Sequence, residues 1–187
     1  MAPESIKWWQ AVSRQKLLLS NHNSIKQHDT LYKDFWLSVI TSPESTLRNY
    51  ATFKTTCDHE KYLSDVTNIS HRFAITRLRT SSHSLRIETG RYCNPKLPVK
   101  ERLCFSCKQI ENECHFLTKC AMYQAERTQL FDNVSKLCPR FLALNDEQKC
   151  LFLLTAEGDI IRETGKFAEK AFVIRNALLY PENQQRK

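Results

Sequence analysis

Cys104-Phe-Ser-Cys107-Lys-Gln-Ile-Glu-Asn-Glu-Cys-His115-Phe-Leu-Thr-Lys-Cys120 spells C-x2-C-x7-H-x4-C, and its reading decides what kind of fold this chain needs. A C-x2-C pair presents two thiols from one tight loop. His115 and Cys120 can supply two more donors from the start and second turn of a short helix. Four N/S donors are the set that a tetrahedral Zn²⁺ ion takes. Chance alone supplies about 0.3 C-x2-C pairs at this cysteine content, so the pair is weak until the His and third Cys close the set. Four ligands fill the shell and leave no open position for water or substrate, so the expected site is structural rather than catalytic. Cys114 is the rival ligand. On a helix its side chain is turned about 100° from that of His115, so it is assigned to packing.

Eight cysteines stand at positions 57, 93, 104, 107, 114, 120, 138 and 150. Crowding of four into residues 104–120 favours a metal over bridges. Cys57, Cys93, Cys138 and Cys150 lie among apolar neighbours and read as buried free thiols. The first twenty residues lack an unbroken apolar core and a small-residue cleavage site. The expected address is therefore intracellular, nuclear or cytoplasmic. No apolar run approaches the length of a membrane span, so no membrane partner is expected.

Around the cluster the periodicity is helical. The 187 residues contain only three Gly and six Pro, which argues against a turn-dense β-sandwich or barrel. Tyr32, Phe35, Trp36 and Val39 mark one face of a helix over about 27–40. Ser42-Pro43-Glu44 reads as the start of a second helix, running through Leu47 and Tyr50 to Lys54. A third is expected from Ile69 to about Thr80. Asn145-Asp-Glu-Gln148 resembles a capping box and opens a helix carrying Leu151, Phe152 and Leu154. Phe167, Ala171, Ile174 and Leu178 mark a last helix stopped by Pro181. Leu85-Arg-Ile87 is a weak strand signal. The expected fold is mainly α, a helical domain with a small CCHC zinc-knuckle insert. It comprises an N-terminal helical part (1–92), the knuckle (93–122) and C-terminal helices packing on the same core (123–187).

The chain carries a formal charge of +8, and most of that excess falls between residues 70 and 102. Arg72, Arg77, Arg79, Arg86, Arg91, Lys96, Lys100 and Arg102 stand there against Glu88 and Glu101, with His83 among them. On a continuous helical wheel Arg72, Arg79, His83 and Arg86 gather on one side. Arginine suits bidentate phosphate contact. A solvated basic face is the bland reading; beside a zinc knuckle, a face for RNA or DNA is the better one.

Leu78-Arg-Thr-Ser-Ser-His-Ser-Leu-Arg-Ile-Glu-Thr-Gly-Arg-Tyr92, Glu101-Arg-Leu-Cys-Phe-Ser-Cys107 and Ile110-Glu-Asn-Glu-Cys-His-Phe-Leu117 with Cys120 resemble the zinc-knuckle region that follows the polymerase in reverse transcriptases of non-LTR (LINE-type) retrotransposons. Leu47–Lys54, Glu60–Leu63 and Tyr123–Arg127 extend the resemblance, which covers roughly residues 30–175. It implies binding of template RNA or target DNA beside a reverse transcriptase polymerase domain. Seven residues precede the His where retroviral-type knuckles have four, so base reading does not transfer. No Tyr-x-Asp-Asp pair and no polymerase palm is recognisable, and no enzyme activity is expected. A zinc-stapled helical scaffold for a protein partner, anchored by Trp8, Trp9 and Trp36, is the alternative.

Overall fold

The structure, a computed structural model, describes residues 23–180 apart from 43, 44, 46, 48 and 55. Trp8, Trp9, the Pro43-Glu44 helix start, Pro181 and the polar tail 182–187 lie outside the described residues. The described residues fall into two compact units, one up to residue 45 with 54–58, the other 47–53 with 59–180.

The first unit holds α1 (Asn23–Thr41). Of its expected apolar face, Phe35 and Trp36 are half-buried while Tyr32 and Val39 are exposed; Ile40 is buried.

The second unit contains α2 (Tyr50–Phe53), α3 (Tyr62–Asp65), α4 (Ile69–Arg79), α5 (Arg86–Thr89), α6 (Gln124–Leu137), α7 (Asp146–Thr155) and α8 (Gly158–Leu179). Residues 93–122 lie in this unit together with 123–180. The long helix α8 is its axis, packing against α3, α4, α6 and α7. It buries Ile161, Phe167, Ala168 and Ala171, whereas Leu178, expected on the same stripe, is exposed. Small residues on that stripe let its neighbours come close. A side chain at Gly165 would stand 3.0 Å from the His71 Cβ of α4.

Local signals account for most boundaries. Asn68 caps α4, its Oδ1 accepting from His71 N–H at 3.1 Å. The α7 capping box forms in full: Asn145 Oδ1 accepts from Gln148 N–H at 2.9 Å, and Gln148 Oε1 from Asn145 N–H at 3.1 Å.

Two sequence expectations are corrected here. The helix ends at Thr80 as expected, and Ser81 then turns into the left-handed region (φ 53°), so no helical wheel runs on to residue 86. The wheel that placed Arg72, Arg79, His83 and Arg86 on one face therefore describes no real surface. Leu85–Ile87 is not a strand either. Leu85 stands at the N-cap position of α5, whose first N–H groups find Glu111: Arg86 N–H donates to its Oε2 at 2.7 Å and Ile87 N–H to its carbonyl at 3.1 Å. Among the described residues the β structure is one antiparallel bridge, Leu103 to Ile110. No helix of the described residues is long and apolar enough to cross a membrane.

Candidate metal centre

The Leu103–Ile110 bridge closes a hairpin whose tip carries Cys104 and Cys107. Cys104 N–H donates to Gln109 O at 2.7 Å and Lys108 N–H to Cys104 O at 3.0 Å. The turn needs a positive φ at Lys108 (57°), a conformation that costs a non-glycine residue about 1 kcal/mol. Its return is that both thiols point to the same side.

The other two donors depend on an unusual helical turn. In an α-helix, residues i and i+5 are about 140° apart, so His115 and Cys120 would diverge. The segment His115–Lys119 is instead a π-helix, and Cys120 N–H donates to His115 O at 2.8 Å, five residues back. The wider turn brings i and i+5 together. Asn112 starts it by accepting His115 N–H at 2.8 Å. Phe116, within this turn, lies against Tyr123, Phe167 and Phe172 at centroid distances of 5.0, 5.9 and 4.7 Å, which fixes the turn to α8.

As a result one donor atom from each of Cys104, Cys107, His115 and Cys120 lies within 4.8 Å of the others. Cys120 Sγ is 3.8 Å from Cys104 Sγ and 3.6 Å from Cys107 Sγ. A tetrahedral ion with bonds of about 2.3 Å holds sulfurs about 3.8 Å apart, whereas a disulfide needs about 2.05 Å. All eight cysteines are free. Both ring nitrogens of His115 are buried without a hydrogen-bond partner. A buried imidazole is ordinarily satisfied, so the orphaned nitrogens fit a ligand role. These four residues could hold a metal ion. Cys114 turns away, its Sγ 3.6 Å from both Thr118 Oγ1 and Asp146 O.

The electrostatics point the same way. Burial drives the Cys120 thiol up to about 12, with Cys104 and Cys107 adding to it and the Met122 N–H opposing. Burial acts upward on Cys107 as well, but the Ala121 N–H and the side chains of Cys120, Cys104 and Ser106 bring it below the ordinary thiol value. Burial, aided by Arg127 and Lys119 and opposed by Glu111, lowers the His115 imidazole and favours its neutral, ligating form. Three close sulfurs cannot all ionise without a cation between them.

Residues that the sequence did not single out complete the surroundings. Glu111, which caps α5, forms a buried two-bond pair with Arg175 of α8, Nε to Oε1 and Nη2 to Oε2 both at 2.8 Å. Arg127 of α6 is buried beside the π-helical turn. Each arginine sits on the apolar stripe of its helix, Arg127 with Leu130 and Val134, Arg175 with Ala168 and Ala171. A charge in register with a core face was the available signal.

The basic stretch is split. Arg79, His83 and Arg102 are buried and bonded inside the fold, and so cannot belong to a nucleic-acid face. Arg79 pairs with Glu60 at 2.8 Å, donates to Leu154 O and lies over the Tyr62 ring. His83 Nε2 meets Glu113 Oε1 at 2.8 Å. Arg102 donates to Ile87 O at 2.6 Å and Leu97 O at 3.0 Å, its stem crossing Gly90, where a Cβ would come within 2.7 Å. Arg72 donates to Leu63 O at 2.8 Å, and Arg91 pairs with Glu88 at 3.2 Å; both are half-buried. Arg86 is half-buried, and Arg77, Lys96 and Lys100 are exposed.

Comparison with known proteins finds no matching family model, no similar curated protein and no similar solved structure.

Proposed function

We propose that this chain is a non-catalytic, zinc-stabilised nucleic-acid-binding module, with Zn²⁺ held by Cys104, Cys107, His115 and Cys120. The convergence of those four donor atoms within 4.8 Å, with both His115 nitrogens otherwise unpartnered, is the observation that carries the reading. Three thiols and an imidazole suit zinc better than the oxygen-seeking divalent ions, and a filled four-ligand shell suits a structural role. When bound, zinc supplies folding free energy by tying the hairpin to the π-helical turn.

The nucleic-acid side of the reading rests on the sequence resemblance and on the cations that remain outside the core. Arg77, Arg86, Lys96 and Lys100 have no ion pair among the described residues, and Lys96 and Lys100 stand on the loop that leads into the metal hairpin. Such a surface grips the phosphate backbone of RNA or DNA through charge, without reading bases. Changing Arg77, Lys96 and Lys100 to Gln should weaken binding to a duplex or single strand. It should also flatten the plot of log K against log[salt] by roughly two units, each lost contact contributing about 0.7 to 0.9. Unchanged affinity at two salt concentrations contradicts this reading.

A second reading has its own observation. Ile69 and Phe73, one turn apart on α4, are 62% and 60% exposed. That pair favours a scaffold that meets a protein partner, such as a polymerase domain. Binding to such a partner would show little of the salt dependence that phosphate contacts impose.

A further inference from the structure

We infer that Arg127 is the positioning and charge-compensating residue of the metal centre, an inference that rests on the zinc reading above. Arg127 is 3% exposed, and its guanidinium reaches across from α6 to the π-helical turn. Its Nε donates to Leu117 O at 3.0 Å, and its Nη2 donates to Phe116 O at 3.4 Å and Cys120 O at 2.5 Å. Its remaining nitrogen, Nη1, takes Gln124 Oε1 at 3.2 Å.

These acceptors matter because of where they lie. A π-helical turn leaves carbonyls that the next turn of an ordinary helix would have used. With one planar fork Arg127 takes two carbonyls of that turn, Phe116 and Leu117, and the Cys120 carbonyl just past its end, which holds the turn at the width that brings His115 and Cys120 together. A lysine has the charge but not the fork.

The same side chain answers the electrostatic problem of the site. Zn²⁺ with three thiolates and a neutral imidazole carries one net negative charge, in a cluster whose Cys104, His115 and Cys120 are all buried. A buried charge is tolerated only when paired. The Arg127 guanidinium is enclosed with that cluster and bonds the Cys120 carbonyl directly. The ion-loaded site and the buried guanidinium thus neutralise each other. Lys119, the other nearby cation, is exposed and already meets Asp146 at 3.4 Å.

The test is metal affinity, measured on the full chain by chelator competition, with Co²⁺ as a spectroscopic probe of the ligand set. Arg127→Met, which keeps the bulk and removes charge and fork, should bind zinc at least tenfold more weakly, the loss typical of a residue that supports metal ligands. Its Co²⁺ absorption should depart from the wild-type pattern. Arg127→Lys should recover part of the affinity through charge but not the wild-type spectrum. Val134→Ala, two turns along the same helix, should lower the melting temperature and leave both metal readouts unchanged. Wild-type affinity and spectrum in Arg127→Met overturn the inference, as do those properties in Arg127→Lys if Arg127→Met does not fold. A wild-type chain that binds no zinc at all defeats the zinc reading instead.

Discussion

Arg79 and Arg77 are two residues apart, and their fates separate what a sequence can and cannot say about charge. Both count equally toward the basic excess of the 70–102 stretch. Arg77 points outward, near the Phe73 ring, while Arg79 is enclosed by Glu60, Leu154 and Tyr62. Composition registers a charge but not its partner, and Glu60 lies 19 residues away. Arg79→Gln should therefore destabilise the protein by about 3 kcal/mol, as expected when one member of a mostly buried pair is removed. Arg77→Gln should stay within about 0.5 kcal/mol of wild type. Urea unfolding of the two variants decides it; equal stabilities would mean that the Arg79 contacts contribute nothing. The four clustered donors that could hold a metal were legible at this scale because thiols and imidazoles at closing distance have few other uses. Glu111, Arg127 and Arg175 were not, because their partners come from distant parts of the chain.

Helices are the scale at which the sequence reads best. Asp146–Thr155 begins where Asn145 announces it, since a cap is a local hydrogen bond and needs no knowledge of the fold, and Ile69–Arg79 begins at the expected residue. Asn145→Ala removes half of the capping box and should cost about 1 kcal/mol, read as a lower urea midpoint at unchanged m-value. Reading failed where the backbone left regular geometry. Ser81, with positive φ, ends α4 and invalidates a wheel drawn to residue 86. The π-helical turn at 115–119 has two carbonyls taken by a side chain from α6, a contact that no local pattern encodes. Contacts between helices also set a pH dependence. Glu163 of α8 resists burial and is held below its ordinary value by Lys166 and by Asn133 of α6. A carboxylate lowered in this way stabilises the fold above about pH 4.5, and the contribution is lost as pH falls through its lowered folded-state value. Glu163→Gln should therefore melt below wild type at pH 7, with a smaller gap at a pH well below 4.5. A gap of the same size at both values would show that ionisation of Glu163 is irrelevant.

Across the whole molecule, the mainly α class followed from helical periodicity and scarce glycine, and the structure has it. The division of the described residues into two units was not legible, because no change in composition marks it. The second unit builds its core largely from α4, α6, α7 and α8, which converge on Leu78, Leu130, Val134, Leu153 and Ala168. The cysteine hairpin and the π-helical turn beside it are tied to that core through Phe116, Arg127 and the Glu111–Arg175 pair. Removing the metal should accordingly loosen residues 90–120 first and leave part of the helical signal in place, a difference that amide hydrogen exchange can map. Uniform loss of protection throughout residues 59–180 would show instead that the core cannot stand without the ion.

The proposed role of Cys104, Cys107, His115 and Cys120 is to hold one structural zinc ion. Metal analysis of the purified, reduced protein, combined with X-ray absorption at the zinc edge, tests it most directly. The expected result is one zinc per chain with three sulfurs at about 2.3 Å and one nitrogen at about 2.0 Å, and loss of that zinc in Cys107→Ala and His115→Ala. A well-folded wild-type protein that carries no zinc and takes none up would contradict it.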